Sequence, residues 1–479
     1  MKDILMSSIE KRYEQMYKFE ENIHLYDFRF KDTKIPMWIY IRSSFIRDVV
    51  DRKVYYQINQ IHSEKNSIQI KKSFINKYII YNPFFSYRRD ILFALWTYGG
   101  LKQHQDGQVF EDLIMPFLQM FPDRTNIIMD GNITNQYELD CMHPNWKMDD
   151  IFMDILYKRK NDISNEDKKN IKGFLTFVYK NCPLKIENSL KDEIRCKLEG
   201  FARYSKQMIK IFESYLQVVK PKVAIICCAS YPDLLRTSMI LACKNKKVIT
   251  AELQHGLTAK YHSHYQYSDC IIKSNRCKKM LPDYFLTFGE YWNNQVKIPQ
   301  KCNTIGYAKP VIKDNVPINN KILFCAGLNF DTYIQFFDKL LSELDENIEI
   351  YFRFHPTYSS KKYRDQFNKY LNYPNFFIAD NEDLDFYMKK CRYVIVDGST
   401  VCYEALFMGR IVFSFASDQS TRLGISSLPY IHLFNSVDDF IDLWKNRNTF
   451  KSEYHFEFFD LNYRQYYMNF LKKCGVSIK

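Results

Sequence analysis

The residues with the clearest potential for acid–base chemistry lie in the motif ELQHG, at positions 252 to 256. Glu252 and His255 come at the end of an apolar, β-rich run, and Gly256 follows them. A histidine in such a place can act as a general base or contact a phosphate, and a glycine lets the backbone turn tightly beside a ligand. The alternative interpretation is a histidine that makes only structural hydrogen bonds.

A second motif, FRFHP, places Arg353 and His355 directly after another apolar run. Pro356 ends that run and holds the preceding residue in an extended conformation. Together the guanidinium and the imidazole could clamp a phosphate or diphosphate leaving group, because charge-assisted hydrogen bonds strengthen as charge develops on that group. A purely structural role is the alternative.

The third motif, DGSTVCYEALFMG, begins where the run YVIV ends. Gly398 comes just after that run. Ser399 and Thr400 lie at the predicted N-terminus of the next helix, where free N–H groups and the helix dipole favour an anion. One turn later, Glu404 could accept hydrogen bonds from the hydroxyl pair of a ribose or sugar. The alternatives are an N-cap role for Ser399 and a capping or salt-bridged role for Glu404.

Short apolar runs alternate with helical stretches from about residue 90 onward, which predicts parallel sheets built from βαβ units. The run PKVAIICCAS is continuously apolar, as expected of a parallel strand that is covered on both faces. Further strands are predicted at DILFALW, NIIMD, VITAELQHG and DYFLTFGEYW, and a helix at QVFEDLIMPFLQM. Because ligands bind at the carboxyl ends of parallel strands, the three motifs are expected to line such an edge.

A weakly apolar segment with two prolines, near residues 308–320, indicates a linker. After it the alternation restarts with KILFCAG and continues to IVFSF. The predicted fold is therefore α/β, with two Rossmann-like domains that face each other across a cleft and a helical N-terminal elaboration. The predicted boundaries are 1–310 for the N-terminal domain, 311–455 for the C-terminal domain and 456–479 for a closing helix.

The composition narrows the class of protein. A length of 479 residues with 46% apolar content is enough for two cores. Charge interrupts every apolar run well before the roughly 18 residues that a membrane span requires, and no window resembles a secretory signal, so we expect a cytoplasmic protein. The 13 cysteines show no zinc-binding spacing, and no matching thiolate or carboxylate accompanies His262 and His264.

The net charge of +13 predicts attraction to an anionic partner. Residues 65–89 are basic and aromatic, which is typical either of contact with an anionic membrane face or of a solvated basic surface whose rings pack inward. No RRM, KH, zinc-finger or helix-turn-helix signature occurs, and the aromatic residues are spread along the whole chain. These features argue against a nucleic-acid-binding protein.

The motifs ELQHG, YFLTFGEYW, FRFHP and DGSTVCYEALFMG together resemble the pattern of GT-B glycosyltransferases of bacterial capsule, lipopolysaccharide and teichoic acid assembly. That group includes Kdo-type, sialic-acid-type and polyol-phosphate transferases, and the resemblance covers roughly residues 220–415. It implies transfer of a sugar from a nucleotide-activated donor to a hydroxyl of a growing surface polysaccharide or lipid-linked glycan. GT-B enzymes generally do not depend on a bound metal ion, so the resemblance predicts no required metal, and no cofactor is expected. The basic stretch adds contact with the inner face of the membrane as one interpretation of a cytoplasmic location.

The resemblance also implies roles for individual residues. It places the donor's phosphates on His355, Ser399 and Thr400, and the donor's ribose or sugar on Glu404. One feature departs from the pattern, since retaining GT-B enzymes often carry two glutamates with seven residues between them. Here Asp397 and Glu404 have six residues between them, which leaves the stereochemical outcome open.

The general base is open between two places in the first domain. The loop after the first predicted strand offers His104, Asp106 and Glu111, whereas the end of a later strand offers His255 and Glu252. We rank His255 first because its position directly after a strand is better defined.

The sequence leaves four alternatives to the glycosyltransferase open. A polyol-phosphate transferase with a CDP-linked donor and a non-hydrolysing sugar-nucleotide epimerase would share the fold. A non-catalytic scaffold of a polysaccharide-assembly complex would bind no nucleotide. A nucleic-acid-binding protein would bind generic oligonucleotides in a strongly salt-dependent way.

Overall fold

The computed structural model describes residues 8–63, 82–95, 101–103, 109–111, 114–129, 145–157, 162–308, 315–327, 330–355 and 361–478. Two helices open it, α1 (Ser8–Glu20) and α2 (Met37–Ser63). The aromatic segment IPMWIYIRSSF begins α2, and Trp38 and Phe45 are among its buried side chains. This region is the helical N-terminal elaboration that the sequence predicted.

The first α/β domain holds a seven-stranded sheet among the described residues, and all of its strand pairs are parallel. The strands of this domain are β1 (Ile91–Leu95), β2 (Leu101–Gln103), β3 (Val109–Glu111), β4 (Thr125–Met129), β5 (Asn145–Lys147), β6 (Val223–Ile226), β7 (Ile249–Leu253), β8 (Tyr284–Thr287) and β9 (Lys301–Thr304). The helices are α3 (Met115–Met120), α4 (Met148–Tyr157), α5 (Asn165–Asn181), α6 (Asn188–Val219), α7 (Leu234–Asn245), α8 (Asp269–Lys273), α9 (Asn275–Lys278) and α10 (Glu290–Asn293). The sheet order is β5-β4-β1-β6-β7-β8-β9, and β2 and β3 form a separate antiparallel ribbon.

Both faces of this sheet are buried, as its continuous apolar runs predicted. Successive side chains of a strand point to opposite faces. Ile91 and Phe93 therefore join one core, and Leu92 and Ala94 join the core beneath α6 and α7.

The second α/β domain holds a six-stranded sheet, again parallel throughout. Its strands are β10 (Ile322–Cys325), β11 (Ile350–Arg353), β12 (Phe376–Ile378), β13 (Tyr393–Val396), β14 (Ile411–Phe415) and β15 (Ile431–Phe434). Its helices are α11 (Phe330–Glu343), α12 (Lys361–Phe367), α13 (Leu384–Lys390), α14 (Val401–Phe407), α15 (Asp418–Arg422) and α16 (Val437–Lys445). The strand order is β12-β11-β10-β13-β14-β15.

Both sheets share one topology. Numbered along the chain, the strands of the second sheet run 3-2-1-4-5-6, and the first sheet repeats that order with a seventh strand at its edge. This is the Rossmann order, in which the chain reverses its direction of travel across the sheet and opens a crevice at the carboxyl ends of the two central strands. The predicted fold class, α/β with two Rossmann-like domains, is confirmed.

The two domains meet through loops at their carboxyl edges. Ala259 follows β7, Gly424 lies beyond β14, and a β-carbon built on Gly424 would lie 3.3 Å from Cβ of Ala259. A shared apolar cluster also joins Trp292 of the first domain to Tyr403 of α14, with ring centroids 4.9 Å apart. The carboxyl edges therefore face each other, which is the GT-B arrangement.

The C-terminal segment returns to the first domain. Helix α17 (Tyr463–Lys473) buries Tyr467, Phe470 and Leu471 against the first sheet. This helix lies within the segment 456–479 and covers one face of the first sheet. None of the helices in the described ranges is both long and apolar enough to cross a bilayer.

Two local predictions differ from the structure. Instead of one helix over QVFEDLIMPFLQM, Val109–Glu111 form a strand and the helix starts at Met115, next to Pro116. Proline favours the first turn of a helix, which accounts for this start. Strands β2, β5, β9 and β15 were missed, because β2 and β5 have only three residues each and because KCNT and IHLF have partly exposed side chains.

Candidate functional site

Glu252 is the penultimate residue of β7 and is completely buried. Its Oε2 accepts hydrogen bonds from the backbone N–H and the hydroxyl of Ser230, and its Oε1 accepts one from the Tyr265 hydroxyl at 3.0 Å. Burial raises the pKa of Glu252 to about 7, although these hydrogen bonds lower it. The carboxyl group therefore titrates near neutral pH, and its partners separate it from solvent.

His255 follows β7 and is half-buried. Its Nδ1 lies 3.4 Å from the hydroxyl of Tyr265, longer than an optimal hydrogen bond, and its ring meets that of Tyr231 edge-on. Burial, and then the positive charge of Arg236, lower the pKa of His255 to about 4. The imidazole is neutral at pH 7, which is the form that a general base requires.

Two further histidines lie beside His255. His264 stacks on Tyr231 at 3.6 Å between centroids, and His262 stacks on Tyr265 at 5.0 Å. Burial lowers the pKa of both, and for His262 the charge of Arg422 adds to the effect. Within the described residues no group of three or more His, Cys, Asp or Glu side chains is arranged to hold a metal ion.

The N-terminal helices hold this histidine loop, residues 255–268, in place. Arg42 of α2 and Glu20 of α1 form a fully buried ion pair. Arg42 also donates to the carbonyl of Gln266 at 2.6 Å, and Glu20 accepts from the backbone N–H of Ser268 at 3.0 Å. Tyr17 adds a hydrogen bond to the carbonyl of Lys260, so α1 and α2 hold the loop near its middle and at its C-terminal end.

Gly256 does not have the special backbone that the sequence suggested. It is not among the glycines with positive φ, and a β-carbon there would meet nothing within 4 Å. The chain does bend at Gly256, but neither the backbone angle nor the space around it requires a glycine there.

The second domain offers a site at its own topological switch point, between β10 and β13. Asp397 is buried at the end of β13, where it accepts hydrogen bonds from Tyr333 at 2.8 Å and from Ser417 at 2.6 Å. A β-carbon on Gly327, which follows β10, would come 2.0 Å from the carbonyl oxygen of Asp397. Glycine is required there because the two strand ends approach so closely.

The residues expected to bind phosphate lie at this edge. Gly398 has φ +58°, and a β-carbon on it would overlap Gln419. The Ser399 hydroxyl accepts a hydrogen bond from the N–H of Val401 at 3.3 Å, but the N-cap residue of α14 is Thr400, one position later. Thr400 is exposed at the start of α14 and makes no side-chain cap.

Arg353 and His355, the two residues of the motif FRFHP that were expected to bind phosphate, differ in their surroundings. Arg353 donates through Nη1 to the carbonyls of Ala379 and Glu382, at 2.8 and 2.9 Å, and so fixes the loop after β12. His355 is half-buried two residues beyond β11. One guanidinium nitrogen of Arg353 is therefore occupied by the protein, and the phosphate clamp expected of this pair stays a prediction.

Glu404 lies on α14, half-buried, and its Oε1 accepts a hydrogen bond from the hydroxyl of Tyr307 at 2.7 Å. Tyr307 comes from the end of the first domain and stacks on Phe459 at 4.3 Å. Glu404 thus links the two domains. Its predicted contact with a ribose or sugar would use the remaining lone pairs of the carboxylate.

The remaining predicted residues are distributed as follows. His104 and Asp106 lie outside the described residues, and Glu111 ends β3. The residues that sequence reasoning missed are Tyr265, Ser230, Tyr333 and Ser417. Two of them carried a positional signal, because Ser230 ends the predicted run PKVAIICCAS and Ser417 lies two residues beyond the run IVFSF.

Comparison with protein-family models and with curated proteins gave no match. Among solved structures, the chain is similar to MurG of Acinetobacter baumannii, with 10% identity, coverage of 80% of this chain and 99% of that chain, and a TM-score of 0.48. It is similar to a UDP-GlcNAc 2-epimerase of Neisseria meningitidis bound to UDP-GlcNAc, with 12% identity, coverage of 80% and 100%, and a TM-score of 0.45. It is also similar to the wall teichoic acid polymerase TagF, with 12% identity, coverage of 91% and 93%, and a TM-score of 0.37.

Proposed function

We propose that the protein is a glycosyltransferase that moves a sugar from a nucleotide-activated donor to a hydroxyl of a growing surface polysaccharide or lipid-linked glycan. This proposal rests mainly on one observation: the carboxyl edges of the two parallel sheets face each other. The first brings a neutral, half-buried histidine, and the second brings a loop of small and hydroxyl-bearing residues at a Rossmann switch point. Ligands of open α/β sheets bind at such crevices.

The donor would bind the second domain. Its phosphates would lie at Ser399 and Thr400, where the backbone beyond Gly398 passes close to α15 and leaves hydroxyls at the surface. His355 would contact the leaving group, and Arg353 would hold the neighbouring loop and add positive charge to it. Such charge stabilises the diphosphate as it departs.

The acceptor would bind the first domain. His255 would remove the proton from the attacking hydroxyl, since a neutral imidazole at the carboxyl end of β7 can accept it at pH 7. Closing the two edges on each other would exclude water, which otherwise hydrolyses the donor. No cofactor and no metal ion takes part in this proposal.

The protein would work in the cytoplasm, at the inner face of the membrane. Its net charge of +13 favours an anionic surface. Within the basic, aromatic stretch, Phe85 and Tyr87 are 60% and 66% exposed, whereas Phe84 packs on Phe152. The described part of the stretch thus has one ring packed inward and two exposed rings that could enter the interface.

A thermal-shift panel of CMP, CDP, UDP, GDP and their sugar conjugates tests the donor site. A ligand that binds only the folded protein raises the melting temperature by mass action. We expect one nucleotide class to stabilise the wild type and to lose most of that effect in Thr400→Ala, which removes an exposed hydroxyl at little cost to the fold.

The matched control is Thr449→Ala, because Thr449 follows α16 and lies toward the amino edge of the same sheet. This variant should respond to nucleotide as the wild type does. A chain that no nucleotide stabilises would contradict the proposal and favour the scaffold. Stabilisation by CDP-linked polyols alone would favour the polyol-phosphate transferase, and turnover of a sugar nucleotide without an acceptor would favour the epimerase.

A further inference from the structure

Three side chains form a continuous line from the interior of the first domain to His255. Glu252 is fully buried, the Tyr265 hydroxyl donates to its Oε1 at 3.0 Å, and the same hydroxyl lies 3.4 Å from Nδ1 of His255. Tyr265 is itself 1% exposed, so water does not compete for its hydroxyl. The order of the line is carboxylate, phenol, imidazole.

The number of protons available to these three side chains determines the tautomer of His255. An ionised carboxylate only accepts hydrogen bonds, and a phenol has a single proton to donate. The other oxygen of Glu252 already takes both donors of Ser230. The phenol proton therefore points to Glu252, and the phenol oxygen is left to accept from His255. That requires the proton of His255 to be on Nδ1 and makes Nε2 the basic nitrogen.

We propose that Glu252 and Tyr265 are positioning residues that set the tautomer of His255, with Tyr265 carrying the influence of a carboxylate that the imidazole does not touch. The inference rests on the proposed function only in taking His255 as the base. It replaces the direct catalytic role that the sequence allowed for Glu252, because this carboxylate is completely buried behind Ser230 and Tyr265.

Protonation of Glu252 reverses the direction of the hydrogen bonds between Glu252, Tyr265 and His255. A proton on Oε1 makes that oxygen a donor toward Tyr265, whose own proton then turns to Nδ1 of His255. The imidazole must shift its proton to Nε2, and the basic nitrogen then faces Tyr265. One proton is taken up at the carboxylate, and the tautomer of the ring changes while its charge does not.

The electrostatic surroundings keep the imidazole neutral during this change. The titratable and charged groups that act on Glu252, Tyr265 or His255 from the adjoining elements are Arg236, Cys228, Tyr231, Tyr267, His262 and His264. Arg236 disfavours an imidazolium at His255, and burial does so as well. Since the pKa of Glu252 is about 7 and that of His255 about 4, the carboxylate takes up its proton first as the pH falls.

The test is ¹⁵N NMR of histidine side chains in the full-length protein, with His255→Gln used to assign the signal. At pH 8.5 we expect a protonated Nδ1 and an unprotonated Nε2. At pH 5.5 we expect the reverse, with the ring still neutral. Tyr265→Phe should abolish the pH-dependent exchange, and Glu252→Gln, whose amide can donate to Tyr265, should show the low-pH tautomer at both pH values.

The control is Tyr261→Phe, which removes a hydroxyl in the same loop that contacts Lys260 and Glu14 instead of the line. It should leave the His255 signal as in the wild type. The proposal is overturned if Nε2 is protonated at pH 8.5, if His255 becomes charged at pH 5.5, or if Tyr265→Phe retains the wild-type tautomers. Should Glu252→Gln fail to fold, Tyr265→Phe alone decides, because it keeps the ring that fills the core.

These readouts need no nucleotide, so they are independent of the donor panel. Loss of nucleotide binding with an intact tautomer switch would contradict the proposed function and leave this inference standing. Where transfer activity is measured, Tyr265→Phe should lower kcat by about 10²-fold with KM unchanged, as expected when a base is wrongly oriented and substrate binding is intact.

Discussion

The histidine loop of the first domain and the loop beyond β13 of the second are built in opposite ways. The first is fixed by buried side chains from α1, α2 and two strands, including the ion pair between Glu20 and Arg42. The second buries only Asp397 and leaves Thr400 exposed. A group that must present one nitrogen in one orientation needs such support, whereas a loop that wraps a diphosphate needs backbone and hydroxyls open to it.

The largest effect is expected from a substitution that removes the support of the histidine loop. Arg42→Met leaves Glu20 buried without its cation and removes the donor to the carbonyl of Gln266. We expect a loss of about 3–5 kcal/mol in the free energy of unfolding of the first domain, the usual result of removing one partner of a buried pair. Urea unfolding followed by circular dichroism measures it.

Arg195→Met is the control for Arg42→Met, because Arg195 pairs with Asp192 on the exposed side of α6. That pair should contribute at most about 0.5 kcal/mol. If both variants lose equally little stability, the N-terminal helices do not hold the loop and the contrast between the two regions is wrong.

The second effect is the pH dependence that Glu252 gives to stability. Its pKa is about 7 in the fold against an ordinary value of 4.5, so the native state binds a proton that the unfolded chain releases between these pH values. The resulting stabilisation is fully present below about pH 4.5 and is lost as the pH rises through about 7.

Unfolding of the wild type and of Glu252→Gln at pH 5 and pH 8 measures this contribution. The stability of the wild type relative to the variant should be higher at pH 5 than at pH 8 by roughly 2–3 kcal/mol. Other groups, including His255, titrate in both proteins and cancel in the difference. A difference that does not change with pH would mean that Glu252 has an ordinary pKa.

The strands and the switch points could be predicted from the sequence because a parallel strand buried on both faces is a continuous apolar run. YVIV shows this directly, and it led to Gly398 and Ser399 at its end. KCNT could not be recognised as β9, since an edge strand with partly exposed side chains lacks that pattern.

The partners of the candidate residues could not be predicted, because they come from distant parts of the chain. Tyr265 reaches both Glu252 and His255 only because residues 256–264 fold back over β7, and Arg42 donates a hydrogen bond to the carbonyl of Ser263 in that segment. Arg353 was expected to bind phosphate, yet part of its guanidinium donates to carbonyls of the loop after β12. A sequence shows that a cation is present and does not show which oxygen it meets.

The third effect compares one glycine from each region. Gly398→Ala places a side chain at φ +58° and within 2.0 Å of Cγ of Gln419, so it should cost about 2 kcal/mol and remove the response to nucleotide. Gly256→Ala enters open space at an ordinary backbone angle and should be neutral or stabilising by up to about 1 kcal/mol. Thermal unfolding of the two variants gives the comparison directly. A large loss in Gly256→Ala would mean that the chain needs a glycine at this position, as the sequence suggested.

The smallest effect compares one hydroxyl from each region. Ser230→Ala removes one donor to the buried Glu252 carboxylate, and because the Ser230 N–H and the Tyr265 hydroxyl still donate, it should cost about 1.5 kcal/mol at pH 8, when Glu252 is charged. The loss should shrink at pH 5, because a protonated carboxyl needs fewer donors. Thr400→Ala should change stability by less than about 0.5 kcal/mol at either pH, since its exposed hydroxyl caps nothing. If Ser230→Ala and Thr400→Ala lost equal stability, both regions would be equally rigid. The distinction between a site that orients a base and a surface that binds a ligand would then be wrong.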